Sequence, residues 1–360
     1  PSALVIRPNE ALPDMGRITK ADGTPFEVAI AMDESVACTK AHAPRPPAAY
    51  EERFHENFKA KLAAAVIEEV PPGEEAIHNF SAHVIAKKVE KGEDGAPFIK
   101  YREAMNLKAV NERHAHMYPR PLPKDMERIQ RAMAEYGTLG KADVKKAYWR
   151  IGITETSRRL FAFHYITPDG RRRAMRYCVI PFGFYVAGDI LDQILDAVYE
   201  DQPHVRKFVD DLIHGMAAAV VTEDGEVDED AYRSFRHRWT ELLEASTAHG
   251  IKLDKIVLAA PILVFCGREV GRGRVSVRLD VLELRMTMGM PDNAASLRHF
   301  CSWASWFRQF VPAMANFLEP IMRFAGSLPA DNARITLPED VDFQTPGNPL
   351  LRHPTWKHVD

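Results

Sequence analysis

Val205-Arg206-Lys207-Phe208-Val209-Asp210-Asp211-Leu212-Ile213 reads as a short β-hairpin that carries acid at its turn, because Val, Phe and Ile flank two adjacent carboxylates. Two acids at a buried hairpin tip repel each other and lose hydration unless a cation neutralises them. Hard divalent ions such as magnesium take that kind of oxygen ligand. In a chain that is 27% charged, an Asp-Asp pair by itself also fits a solvated surface turn. The neighbouring blocks decide between the two readings.

Upstream, Gly140-Lys141-Ala142-Asp143-Val144-Lys145-Lys146-Ala147-Tyr148-Trp149-Arg150-Ile151 is a second place where a carboxylate leaves a strand and an aromatic residue follows. Between the two acidic sites, Val179-Ile180-Pro181-Phe182-Gly183-Phe184 is an apolar strand end closed by a Pro/Gly turn. In this order and spacing, KADVKKAYWRI, IPFGFYVAGDILDQ and FVDDLIH resemble the polymerase blocks of gypsy-type LTR retrotransposon reverse transcriptases, relatives of the retroviral enzymes. Further stretches follow the same family, from Ala48 to Ile67, Phe98 to Asn111, His249 to Asp254, and Leu297 to Ile321.

The resemblance implies an α+β right-hand polymerase with fingers, palm and thumb and an antiparallel palm sheet. Its expected organisation is fingers over residues 32–118 and 151–186, palm over 119–150 and 187–278, and thumb over 279–326. Residues 327–360, with Pro349-Leu350-Leu351-Arg352-His353-Pro354, resemble a linker toward an RNase H domain; residues 1–31 match nothing specific and are expected to be an N-terminal arm or the remnant of a preceding module. The implied partners are an RNA or DNA template with its primer and deoxynucleoside triphosphates, with RNase H and integrase modules elsewhere in a Pol polyprotein. The oligomeric state is left open.

Composition fits this picture. At 360 residues, two or more lobes are expected. Hydrophobic content is 46%, with no apolar run near membrane-spanning length, so no membrane span is expected. The resemblance implies a cytoplasmic setting, including virus-like particles. Cys38, Cys178, Cys266 and Cys301 are far apart and lack metal-ligand spacing, which reads as reduced thiols. A net charge of −3 requires any basic groove to be local. Arg158, Arg159, Arg171, Arg172, Arg173 and Arg176 bracket a Pro168-Asp169-Gly170 turn and form one candidate; Thr222 to Asp230 reads as a solvated acidic loop. Phe54, Phe58 and Leu62 mark an amphipathic helix, and Trp239 to His249 another.

The chemistry such residues support is nucleotidyl transfer. A primer 3′-hydroxyl must be deprotonated and aligned with an α-phosphate while charge builds on both oxygens. Two cations about 3.5–4 Å apart accomplish this, which is why clustered carboxylates suit the task better than a histidine base. Asp143, Asp210 and Asp211 are the expected catalytic residues and ligands of two Mg2+ or Mn2+ ions, with Asp143 and Asp210 bridging both.

The remaining roles come from the resemblance. Arg102 and Lys88 match finger positions that hold the incoming triphosphate, and Tyr148, Phe182 and Gly183 complete the nucleotide site. Phe265, Cys266 and Gly267 match the turn that grips primer and template, and Lys255 falls near a lysine proposed as general acid. The chain departs from the family at Gly188-Asp189, where Ala-Pro and a small residue are usual, at Phe208 for Tyr, and at Cys266 for Leu. The competing reading is a non-catalytic nucleic-acid-binding or structural subunit derived from such a polymerase.

Overall fold

The computed structural model describes residues 16–31, 48–74, 82–91, 97–115, 125–222, 224, 226–278, 280–281 and 291–328, with the side chains of 49, 82–91, 97–104 and 115 outside that description. The chain divides into two compact units, Pro1–Val275 and Ser276–Asp360.

In chain order, the first unit contains β1 (Glu27–Val28), α1 (Glu51–Ala63), β2 (Ile67–Glu69), β3 (Ala82–Lys91), β4 (Pro97–Met105), α2 (Lys108–Ala115), α3 (Met126–Ala134), β5 (Thr138–Val144) and β6 (Gly152–Ile153). There follow α4 (Glu155–Arg158), β7 (Ala162–Ile166), β8 (Arg172–Tyr177), α5 (Ala187–Val198), β9 (Val205–Phe208), β10 (Asp211–Met216), α6 (Glu229–Ala248), β11 (Leu253–Ala260), β12 (Leu263–Phe265) and β13 (Arg268–Gly271).

The sheet that matters for function is antiparallel, in the order β11-β5-β10-β9. Strand alternation assigns its two faces. Ala142, Val144 and Leu212 join a core with Leu191, Ile194 and Leu195 of α5 and Phe235, Trp239 and Leu242 of α6. Leu139 and Ile213 point the other way, into a core with Met133 and Ala134 of α3 and with Leu263, Phe265 and Val270 of the β12–β13 hairpin. Residues at odd positions on β5 and β10 therefore share the face that carries the hairpin. Asp143 and Asp211 lie at one end of it.

Local chemistry explains the helices. In α5, Leu191, Ile194, Leu195 and Val198 repeat at helical spacing and are buried. Its Asp192 and Asp196 bind the buried ammonium of Lys207, which ties the helix to β9. Helix α6 begins ten residues before the expected Trp239 because Asp228 caps it, accepting from the amides of Asp230 and Ala231. Part of the acidic stretch read as a loop is thus a helix start, where negative charge suits the helix dipole. In α1, Phe58 is buried as expected, but Leu62 is 42% exposed; Lys61 is buried instead, with its ammonium 5.5 Å from the ring centre of Trp149.

Two further expectations change. The arginines around the Pro168-Asp169-Gly170 turn are largely committed to ion pairs: Arg176, 2% exposed, meets Glu68, Glu74 and Glu155, Arg158 meets Glu68 and Glu155, and Arg173 meets Glu69. A guanidinium buried at that depth must be neutralised, so Arg176 holds the β2-β8-β7 sheet together rather than waits for phosphate, whereas Arg171, Arg172 and Arg173 are exposed. Residues 16–31, expected to match nothing specific, are built into the body. Ile18 is fully buried, Glu27 and Val28 pair in parallel with Gly152 and Ile153, and Arg17 donates to the carbonyls of Trp149 and Ala65 at 3.2 and 2.7 Å.

In the second unit, the helix Ala294–Ser305 opens with a reciprocal capping box between Asn293 and Ser296. Leu297 and Cys301 then cluster with Ala325 of the helix Met314–Ser327.

His214 occupies an aromatic slot behind the acidic sheet. It is 1% exposed, stacked on Phe235 at 4.8 Å and met edge-on by Trp239 at 4.4 Å. Burial, then His204 and Arg238, push its pKa down to about 3. The unfolded chain therefore takes up a proton near pH 6.5 that the folded state refuses. Stability should fall as pH drops below about 6.5, with a slope approaching about 1.4 kcal/mol per unit from this one group. Thermal melts of the protein and of His214→Gln between pH 7 and pH 5 should show a shallower decline in the variant.

Candidate active site

The register of β5 and β10 sets Asp211 directly opposite Asp143. The amide of Val144 donates to the carbonyl of Asp210 at 2.7 Å, which makes Asp143 and Asp211 a non-hydrogen-bonded cross-strand pair. Such pairs have the closest side chains in an antiparallel sheet, with about 4.5 Å between their Cα atoms. Asp210 sits beside them in the two-residue turn Val209-Asp210 that joins β9 to β10. Val209 has φ of 58°, a left-handed conformation that a β-branched residue adopts only under constraint. The hairpin supplies it: Phe208 pairs with Asp211 across the turn, and the Val144 bond pins the tip to β5.

Electrostatics show the cost of this packing. Burial pushes Asp211 up to about 6, and the hydrogen bond to Asp143, its charge and that of Asp210 add to the effect, with Lys141 opposing. Two ammonium groups answer the repulsion. Lys141 lies on the same face of β5, where its Nζ donates to the carbonyl of Val264 at 2.8 Å. Lys255 forms an ion pair with Asp143 and has its pKa raised chiefly by that contact. It reaches Asp143 because β11 shifts register after Asp254 and Lys255 takes φ of 48°. Asp254, which the sequence reading left without a role, pairs with Asp143 on the other side of β5.

The hairpin β12–β13 closes the site on a third side. Phe265 pairs with Arg268, and the two residues between them, Cys266 at φ 48° and Gly267 at φ 82°, have the left-handed conformations of a type I′ turn. Gly267 is exposed and Cys266 half-buried, whereas Phe265 is 1% exposed and belongs to the core. The Cys266 thiol donates to Asp211 Oδ2 at 3.7 Å; burial, with Asp211 and Asp210 adding, pushes it up to about 12. Behind the turn, fully buried Gln130 donates to the Phe265 carbonyl at 2.9 Å and accepts from Arg268 Nη1 at 3.0 Å.

Tyr148 follows Asp143 through a left-handed Lys146 and a short 3-10 turn. Its ring meets Phe182 edge-on at 5.4 Å, and Phe182 also meets Trp149 at 5.3 Å. The Tyr148 hydroxyl faces Gly188 at the start of α5, where an added Cβ would stand 3.8 Å away. Burial first, then Asp210 and Asp189, push that hydroxyl up to about 12. Gly183 is exposed, its carbonyl accepting from Asn111 Nδ2 at 2.9 Å. Tyr148, Phe182 and the three aspartates thus belong to neighbouring pieces of one surface. Lys88 and Arg102 lie on the paired strands β3 and β4, and their side chains fall outside the described residues.

The donor set fits a hard divalent cation in its chemistry: oxygen ligands only, like charges in contact, and a carboxylate pushed toward protonation. Among the described residues no group of three His, Cys, Asp or Glu side chains is already arranged to hold a metal ion, and Lys255 occupies Asp143. Asp143 must exchange the ammonium for a metal to act as a ligand.

No known family profile matches the chain. A stretch of 33 residues, 9% of the chain, is 67% identical to leucine–tRNA ligases of Novosphingobium aromaticivorans and Rhizorhabdus wittichii. The chain spans 4% of the length of those relatives. Among solved structures, it resembles a foamy viral protease-reverse transcriptase in complex with an RNA/DNA hybrid, with a TM-score of 0.62 and 14% identity over 87% of this chain and 38% of that one. The dRH form of the same protein, in complex with double-stranded DNA, gives 0.62 and 16% over 84% and 49%. The chain has a reverse-transcriptase-like fold. The expected α+β class with antiparallel sheets holds. Among the described residues, no helix is long and apolar enough to cross a membrane.

Because Asp211 carries a raised pKa, it weakens the metal-free fold once it ionises. Its contribution is unfavourable above about pH 6 and fades as pH falls toward the ordinary carboxylate range. Asp211→Asn should therefore melt higher than the parent protein at pH 7.5 in chelator, with the difference shrinking by pH 4.5.

Proposed function

We propose that the chain is the polymerase region of a reverse transcriptase, an RNA-directed DNA polymerase that extends a primer 3′-hydroxyl with deoxynucleoside triphosphates. The observation that supports this best is the Asp143–Asp211 cross-strand pair beside Asp210 at a hairpin tip, on the central strands of a reverse-transcriptase-like palm. Their crowding raises the pKa of Asp211, a repulsion that a divalent cation would relieve. The sequence blocks carry the finer reading of a cytoplasmic, gypsy-type retroelement Pol.

In this reading Asp143 and Asp210 hold two Mg2+ or Mn2+ ions, with Asp211 in support. When bound, the ions activate the primer hydroxyl and neutralise charge on the α-phosphate and leaving oxygen. Lys255, displaced from Asp143, stands ready to protonate the departing pyrophosphate. Phe182 braces the ring of Tyr148 beneath the nucleotide. Cys266 and Gly267 present the turn toward the primer, while Lys88 and Arg102 receive the triphosphate. Guanidinium suits that last task through its planar fork of donors.

The Lys255–Asp143 ion pair also suits the alternative, a non-catalytic nucleic-acid-binding subunit in which lysine has replaced the metal permanently. Primer extension on an RNA template, with Mg2+ or Mn2+ against a chelator control, separates the two. Metal-dependent extension is expected. Asp143→Asn and Asp210→Asn should each lower its rate by at least about 10³-fold, roughly 4 kcal/mol of barrier. The double variant should lose little more, since both ligands serve one unit. Near-normal extension by either single variant would falsify the assignment.

Tyr148 offers a second test. As a half-buried ring between Phe182 and Gly188, it either excludes a ribose 2′-hydroxyl or merely fills space. Exclusion predicts that Tyr148→Val admits ribonucleotides while retaining deoxynucleotide addition. Space filling predicts a lower melting temperature, by a few kcal/mol of lost stability, and an unchanged ribo-to-deoxy ratio. Single-nucleotide addition measured beside a melting curve distinguishes them.

A further inference from the structure

The turn Phe265-Cys266-Gly267-Arg268 is held more firmly than its exposure suggests. Gln130 clamps both strands behind it, through the carbonyl of Phe265 and the guanidinium of Arg268, and Lys141 binds the carbonyl of Val264 one residue earlier. The left-handed backbone of Cys266 then directs its side chain back across the sheet face, and the thiol donates to Asp211 Oδ2 at 3.7 Å. A rigid hairpin therefore ends in a neutral donor aimed at one oxygen of a carboxylate that crowds two others.

We propose that Cys266 is a positioning residue for Asp211: its thiol fixes which carboxylate oxygen is left to the cation and so sets the cation affinity of the site. This rests on the polymerase reading given above. The physical basis is that a neutral donor satisfies one lone pair of an ionised carboxylate without adding a charge that would compete with the metal. Leucine at this position would be apolar and donate nothing.

The test uses Cys266→Ser, Cys266→Leu and Cys266→Ala, read by the Mg2+ concentration that gives half-maximal extension and by the Mn2+-induced rise in melting temperature. The first two variants separate donation from packing. If the thiol acts as a donor, Leu and Ala should raise the half-saturating Mg2+ concentration about twofold to threefold, the ratio carried by a weak thiol hydrogen bond, and Ser should return it toward that of the parent. If the thiol only packs, Leu should match the parent and Ser should be worse, which overturns the proposal, as does an unchanged metal dependence in all three. Asp210→Asn serves as control. Should it keep the full Mn2+-induced melting shift, Asp210 holds no cation, and the two-metal reading falls together with this one. Should it lose that shift while the Cys266 variants remain unchanged, only the positioning role falls.

Discussion

The repulsion between Asp143 and Asp211 is the constraint around which the first unit is organised. Strand register creates it, because a non-hydrogen-bonded pair brings the two side chains closer than any other arrangement in an antiparallel sheet. Hydrophobic packing sustains it: Ala142, Val144 and Leu212 are locked beneath α5 and α6, so the strands cannot slip to relieve the acids. A slip of one residue would turn every buried apolar side chain outward. The core thus stabilises a charge arrangement that would not persist alone.

Two cations and one neutral donor, from three directions, moderate that charge. Lys141 comes from within β5, Lys255 from a bulge in β11, and the neutral thiol of Cys266 from the facing hairpin. Only Lys255 is both largely exposed and attached to a metal-ligand candidate. It is the one of the three that can leave without disturbing the core, since Lys141 is tied to Val264 and Cys266 to its turn. Its location in an irregular part of β11 is in keeping with that mobility of role.

Much of this was legible in the sequence, for identifiable reasons. Asp143, Asp210 and Asp211 stand in short apolar runs, where charge is conspicuous and strand period assigns it to a face. The helices α3 and α5 carry clear apolar repeats. What escaped depended on pairing between distant segments. Asp254 and Lys255 become neighbours of Asp143 only through a register shift in β11, and no local pattern encodes a bulge. Gln130 and Arg268 look like surface residues until the β12–β13 hairpin folds over α3. Ile18 and Arg17 lie in a stretch without periodicity whose partners are carbonyls and a two-residue strand far along the chain. Burial also changed one inference: Arg176, which looked available to phosphate, is an internal counterion.

The slot around His214 has a consequence for how the sheet can change over generations. Gly140 lies directly opposite His214, and a Cβ at that position would collide with the imidazole and press on Trp239. The two positions are therefore not independent. A side chain at Gly140 becomes acceptable only after the ring at His214 has shrunk, and a smaller residue at His214 leaves a void until Gly140 has grown. Replacement must take a fixed order or occur in pairs. Two residues away on the same strand stands Ala142, directly beside Asp143, so this steric coupling restricts drift in the very strand whose position sets the acidic pair.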